Sequence, residues 1–280
     1  MAASVGSEIT TAAPEQAEMA LGAAAVRTRR RRTLRIQCAR LLVVLCALGL
    51  WQYAGGRWAP DFIISSPTHV LGRLTERFGT GKIWPDIWVT TQELILGYSL
   101  GVASGTATGF VLGAWPAAGA VFEPIITAIN GIPKVALAPL FLIWLGIEIW
   151  SKVAIAAMTV FFVMFYNTYL GMKTVPESLV NVLRIMGANR PTIATRVIFP
   201  SIAVPILAGL KASIPFAMIG VVVGEFVAAD KGVGYYIRYS TDMYDSAGVY
   251  GGILVLLVMI LIGHGLISVI QARVLRWRSG

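Results

Sequence analysis

Polar and apolar positions alternate along this chain in long blocks, with no short period. Continuous apolar stretches run over Leu41–Ala54 and, in residue numbers, 94–114, 124–146, 152–172, 202–228 and 249–271. The five beyond the first are of the order of the 20 residues that a helix needs to cross about 30 Å of hydrocarbon. They are continuous and not alternating, so helices are predicted over a closed barrel, the rival spanning solution. The pattern predicts an all-α membrane protein with six transmembrane helices. Residues 1–33 form a tail without sustained apolar period, expected to be disordered. Residues 34–56 are the first span and 57–90 an external connection. Residues 91–272 are a core of five spans with a long loop at 173–200, and 273–280 form a second tail. Within 57–90, the amphipathic run from Thr68 to Phe78 predicts a short helix starting near Pro67.

Composition agrees. Hydrophobic residues make up 56% and charged residues 13% of the 280, against about 45–50% and about 25% in soluble domains. The mean hydropathy is +0.73. A net charge of +9 raises the question of nucleic acid, and its placement answers it. Placing the N-terminus in the cytoplasm puts fourteen of the 23 basic residues on the inside and seven on the outside. Lys134 and Lys211 fall within spans. The excess is an orientation signal: both termini are predicted inside, and nucleic-acid binding loses its support. A run from Arg27 to Arg35 precedes the first apolar stretch. A signal peptide would not be followed by two hundred further membrane-like residues. Cys38 and Cys46 share one apolar stretch and give no disulfide framework. Trp58, Trp84, Trp88 and Trp150 cluster near the predicted external boundaries, as interfacial anchors do.

The loop at 173–200 carries the most local information. Leu179, Val182, Leu183 and Met186 recur at helical spacing. Gly187 is placed to end that helix, with Ala188 following. Asn189 is placed to cap a second helix, in whose first turn Pro191 is tolerated. Arg190 lies between them. Pro200 is expected to stop or bend the second helix where it enters the next span. Such a helix–turn–helix, tied at both ends to spans, suits the transmission of force.

Here the sequence resembles the permease subunits of ABC importers. Their loop motif is E-A-A, three residues, G, nine residues, I, one residue, L-P. The chain places Asn181-Val182-Leu183, Gly187, Val197 and Phe199-Pro200 at those positions. Glycine, aliphatic residue and proline match, the triplet does not, and Phe stands for Leu. The segments Ile132–Leu140 with Trp144-Leu145-Gly146, Asn167-Thr168-Tyr169, Gly224-Glu225-Phe226 and Lys231–Tyr235 resemble the nitrate/sulfonate/taurine-type permeases, over about residues 60–278. The resemblance implies the type I importer fold and location in the bacterial cytoplasmic membrane. It also implies a second permease copy, an ATPase dimer that binds the ATP, and an external substrate-binding protein. Leu179–Thr192 would then be the coupling helix that docks on the ATPase.

The chain itself carries no ATP site: Gly79-Thr80-Gly81-Lys82 lacks the earlier glycine and the following Ser/Thr of a P-loop. No cofactor, metal or catalytic constellation is expected, so the chain is not read as an enzyme. Within spans, ionisable residues are functional candidates by default. Lys134, flanked by Pro133 and Pro139, either faces a pathway and attracts an anion or binds carbonyls freed by the prolines. Lys211 is expected to pair with a neighbouring helix or touch solute, and Glu225 to cap or gate the external mouth. Gly101, Gly105, Gly109 and Gly113 form a ladder for close helix packing. The solute stays open between small anions and related organic compounds. A secondary transporter or channel working without an ATPase is the alternative reading.

Overall fold

The computed structural model describes residues 35–55, 57–58, 60 and 63–274. The tail at 1–33, its arginine run up to Arg32, and residues 275–280 lie outside the described residues. Among the described residues the structure is helical and contains no strand. Two compact units divide at Thr68. In the first, α1 (Arg35–Ala54) is fastened at its end to the following segment. Trp51 Nε1 donates to the Ser65 carbonyl at 2.8 Å, and Gln52 Nε2 to Thr68 Oγ1 at 3.2 Å.

The second unit contains the remaining helices. They are α2 (Pro67–Gly79, beginning at the boundary), α3 (Ile83–Ala114), α4 (Pro116–Asn130), a 3₁₀ turn (Lys134–Leu137), α5 (Ala138–Leu145) and α6 (Ile149–Lys173). After them come α7 (Glu177–Ile185), α8 (Arg190–Ile193), α9 (Phe199–Val227), α10 (Val233–Asp242) and α11 (Ser246–Val274). Among the described residues, five helices are long and apolar enough to cross a membrane, or six when the bent pair of α4 with the turn and α5 counts as one span.

The core is built on α3, α6 and α9. A Cβ at Gly101 would stand 2.6 Å from the Ala157 carbonyl, at Gly105 2.5 Å from that of Phe161, and at Gly109 2.8 Å from that of Phe165. At Gly113 it would meet Met172 at 2.5 Å, and at Gly97 Ala156 at 2.5 Å. Positions rise together on both helices, so α3 and α6 run parallel with touching backbones. Against α9 the order reverses: Gly171 meets Pro205, Asn167 meets Gly209, Ala156 meets Gly220 and Lys152 meets Gly224. Apolar transfer gives helices in lipid little reason to associate, so such close van der Waals contact has to supply the attraction.

Three expectations need correction. The span read at 124–146 is not one helix. It begins at Pro116 and breaks at Gly131-Ile132-Pro133, where its two limbs meet at 82°. Pro133 has no N–H to continue α4 and disfavours helical backbone at Ile132. The span read at 94–114 starts eleven residues earlier, at Ile83, so part of the connection read at 57–90 is helical. Pro200 does not stop its helix. A π-turn over Ala194–Ile198 joins α8 to α9, with the Phe199 N–H donating to the Ala194 carbonyl. Residues Arg190–Val227 form one span of 38 residues, roughly 57 Å long at helical rise.

Two kinds of glycine give different predictions. Gly105→Leu drives a side chain into the Phe161 backbone and is expected to cost at least about 3 kcal/mol. Gly187→Ala meets open space but holds φ +78°, so about 1–2 kcal/mol is expected. Thermal melting in detergent micelles checks the ranking, with Gly72→Ala on open α2 surface as a reference expected to stabilise by about 0.5–1 kcal/mol.

Candidate functional site: an exposed loop and a buried clasp

Two constellations lie at opposite ends of the bundle. At one end α7 turns into α8. Gly187, at positive φ, closes α7 with a pair of bonds that occupy its last carbonyls: Gly187 N–H to Arg184 at 3.0 Å and Ala188 N–H to Leu183 at 2.9 Å. This is a Schellman turn. Asn189 Oδ1 then accepts from the Thr192 N–H at 3.0 Å and from the Thr192 hydroxyl at 2.7 Å, capping α8, with Pro191 in its first turn. The turn holds an apolar ridge away from the chain. Leu179 and Val182 are about half exposed, Ile185 is 87% exposed and Met186 75%. Leu183 and Ala188 are half-buried behind them, and Arg190 is exposed. Below, Ile193 and Val197 are buried, and Pro200 lies two residues past the π-turn.

At the other end a polar cluster is sealed inside. Gly232, Val233 and Gly234 enter α10 with three successive amides, the type of group a helix start leaves unbonded. Each finds a side chain from another helix. The Gly232 N–H donates to Asp86 Oδ1 at 3.1 Å, Val233 to Thr90 Oγ1 at 2.8 Å and Gly234 to Glu225 Oε2 at 2.6 Å. The Thr90 hydroxyl donates a hydrogen bond to Glu225 Oε1 at 2.6 Å. Glu225 and Thr90 are fully buried. A Cβ at Gly234 would stand 2.5 Å from Glu225 Oε2, and one at Gly232, where φ is +118°, would collide with Oε1. Arg77 of α2 joins the clasp, with Nη2 3.3 Å from Asp86 Oδ2 and its guanidinium 3.8 Å above the Tyr236 ring. Burial raises the Tyr236 phenol above its ordinary pKa. Asp245 fastens α11 by accepting from the Gly248 N–H at 3.0 Å, and pairs with Arg73 of α2 at 2.9 Å.

The candidates in the spans do not converge. Lys134 Nζ donates to the Asn130 carbonyl at 2.5 Å and to Asn130 Oδ1 at 2.7 Å, and lies 4.8 Å from the Phe162 ring centre. It closes the end of α4 at the bend, where a cation complements the helix dipole. Pro133 precedes the turn and Pro139 sits in the first turn of α5. Lys211 is exposed on α9. Glu225 caps α10 from inside the clasp. Asp86, Thr90, Glu93 and Lys152 were not among the residues the sequence singled out. All four are buried, and Lys152 Nζ donates to the Ile147 and Glu148 carbonyls. Glu93 Oε2 has no hydrogen-bond partner. The signal that could have found them is the spacing of Ile83, Asp86, Thr90 and Glu93 on one helical face. Between α3, α9 and α11 lies a cleft of about 330 Å³, lined by Leu94, Ile95, Ile214, Met259, Ile262 and Leu266 among others.

The formylaminopyrimidine transport permease protein ThiX of Halalkalibacterium halodurans is 27% identical over 238 residues, 85% of this chain and 95% of that protein. The putative aliphatic sulfonates transport permease protein SsuC of Bacillus subtilis is 25% identical over 85% of this chain and 87% of its own length. A crystal structure of the MetNI methionine ABC transporter in an inward-facing conformation superposes with a TM-score of 0.56. It shares 18% identity and covers 70% of this chain and 97% of that one. That likeness establishes the type I permease fold. The family described as binding-protein-dependent transport system inner membrane component matches residues 97–276. By that match this chain belongs to the family: it is a multi-pass inner-membrane permease subunit of an ABC importer, with ATP hydrolysis on a separate subunit.

Proposed function

We propose that the chain works as a homodimer with both termini in the cytoplasm, importing a small solute released to it by an external binding protein. In this reading the Leu179–Thr192 segment is the coupling helix. The observation that carries it is the exposed ridge of Leu179, Val182, Ile185 and Met186, held by two fixed turns at the end that the basic-residue count assigns to the cytoplasm. A water-facing apolar ridge of this kind marks a surface for another protein. Both ends of the ridge continue into spans α6 and α9, so a push on it reaches the bundle directly. ATP is bound by the partner ATPase, and its closure draws the coupling helices of the two copies together.

The solute is read as a sulfonate-, taurine- or nitrate-like anion or a related small organic compound. Similar permeases support that range: besides the two above, they include those of a riboflavin system of Chloroflexus aurantiacus and a taurine system of Escherichia coli. Lys134 is the pathway candidate that fits an anion. It stands at the bend of a broken span, where transporters place exposed backbone and ligand groups. Two of its three ammonium hydrogens are taken by Asn130, which leaves one for a solute oxyanion.

Co-expression with the cognate ATPase tests the coupling assignment. Ile185→Glu together with Met186→Glu is expected to lower ATPase recovery about 30-fold, the scale of losing one interface anchor of about 2 kcal/mol. Undiminished recovery and uptake would sink the assignment. For the pathway, Lys134→Met is expected to cut uptake of an anionic solute about tenfold while ATPase recovery holds, with Lys134→Arg retaining part of it. Equal uptake by the Met variant removes Lys134 from the pathway.

A further inference from the structure

The 38-residue rod Arg190–Val227 links the two constellations, and its two ends are held very differently. Eight of the eleven buried residues of α9 lie from Ser213 onward. There the α9 backbone touches α6: a Cβ at Gly220 would lie 2.6 Å from Ala156 Cα, and at Gly224 3.0 Å from Lys152 Cα. The last turn carries Glu225, whose two oxygens are bonded to α3 through Thr90 and to α10 through Gly234. Towards the loop the grip loosens. Arg190, Thr195 and Arg196 are exposed, and buried positions are sparser over 190–212 than over 213–227; the contacts that remain there include Phe199 stacked on Phe110 at 5.9 Å and Pro205 against Gly171. The means of bending lie between these ends. Pro205 and Pro215 each remove one backbone bond of the ladder, and the π-turn at 194–198 is wider than an α-turn.

We propose that Thr90 and Glu225 are positioning residues for transport: their bond makes the clasp the fulcrum about which the Arg190–Val227 rod swings. This rests on the reading of Leu179–Thr192 as the coupling segment. A force applied at the loop end moves the free half of the rod. The clasp keeps the far ends of α3, α9 and α10 in one fixed relation while this happens. The three amides at 232–234 need acceptors at fixed positions for that, and each has one. Thr90 is the residue whose removal is most selective. It accepts from Val233 and donates to Glu225 in a space that valine fills with nearly the same shape, so α3 packing is retained while both bonds are lost. Serine restores the hydroxyl.

The test uses the full permease assembled with its ATPase in lipid nanodiscs, with exposed Cys38 and Cys46 changed to serine. One spin-label pair, Trp88→Cys with Met243→Cys, reports the clasp end. A second, Val121→Cys with Thr195→Cys, reports the loop end. All four positions are exposed. Distances are measured without nucleotide and after trapping with ATP and vanadate. The proposal expects the loop-end pair to shift on trapping and the clasp-end pair to keep one narrow distance. In Thr90→Val the clasp-end distribution broadens and shifts on trapping, and Thr90→Ser returns it to the narrow form. A merely structural role would broaden it equally in both nucleotide states. The proposal is overturned if the clasp-end pair moves with the loop-end pair in the unsubstituted protein. It is also overturned if the loop-end pair stays still, or if Thr90→Val leaves the clasp-end distance narrow. ATPase recovery is read before labelling. Its failure would count against the coupling assignment itself and take the fulcrum down with it.

Discussion

Contact between the backbones of α3 and α6 is the constraint on which this protein depends. Five glycines at four-residue spacing remove every side chain from one stripe of α3, and α6 fills that stripe with carbonyls and Cβ atoms. In a membrane the surrounding lipid is as apolar as the side chains, so closeness has to provide the attraction. The third core helix, α9, follows the same rule through Gly209, Gly220 and Gly224. Once these axes are fixed, the ends of the helices have defined places. The loop of α7 and α8 hangs from α6 and α9 at one end. The clasp gathers α3, α9 and α10 at the other.

The division between what was legible in the sequence and what was not follows from this arrangement. Hydropathy located the spans of α6, α9 and α11 to within a few residues, because those helices are apolar on every face. It missed the first turns of α3. Ile83, Asp86, Thr90 and Glu93 share the buried face there, so polarity and burial coincide where they normally oppose. Of the clasp, only Glu225 was legible, as a residue to cap or gate the external mouth. Asp86 and Thr90 lie more than 140 positions from the amides they accept from, and no local pattern encodes such a pairing. The 173–200 loop was legible because its turns are local: Gly187 and Asn189 act on neighbours within five residues.

The bend in the third span shows the limit of reading length as geometry. Residues 124–146 are long enough and apolar enough to cross in one piece, yet Pro133 forbids it. The break needs partners, and Lys134 provides one by returning to Asn130. A charge that looked anomalous in an apolar run is thus tied to the defect that the prolines create. The same ammonium retains one hydrogen for another acceptor. The structural explanation and the proposed transport role therefore do not compete.

The π-turn at 194–198 has a consequence for how the chain faces its surroundings. A π-turn holds one residue more than the regular helix over the same rise. One residue corresponds to about 100° of rotation about the helix axis. Everything before Ala194, including the ridge from Leu179 to Met186, is therefore turned by that angle relative to the faces of α9 that pack on α6. The direction in which the ridge points is thus set by a residue count between Gly187 and Pro200, independent of which side chains fill it. This chain keeps that count while departing from the E-A-A triplet. Azimuth, more than the identity of those three residues, is what the segment transmits from the bundle to the surface it presents.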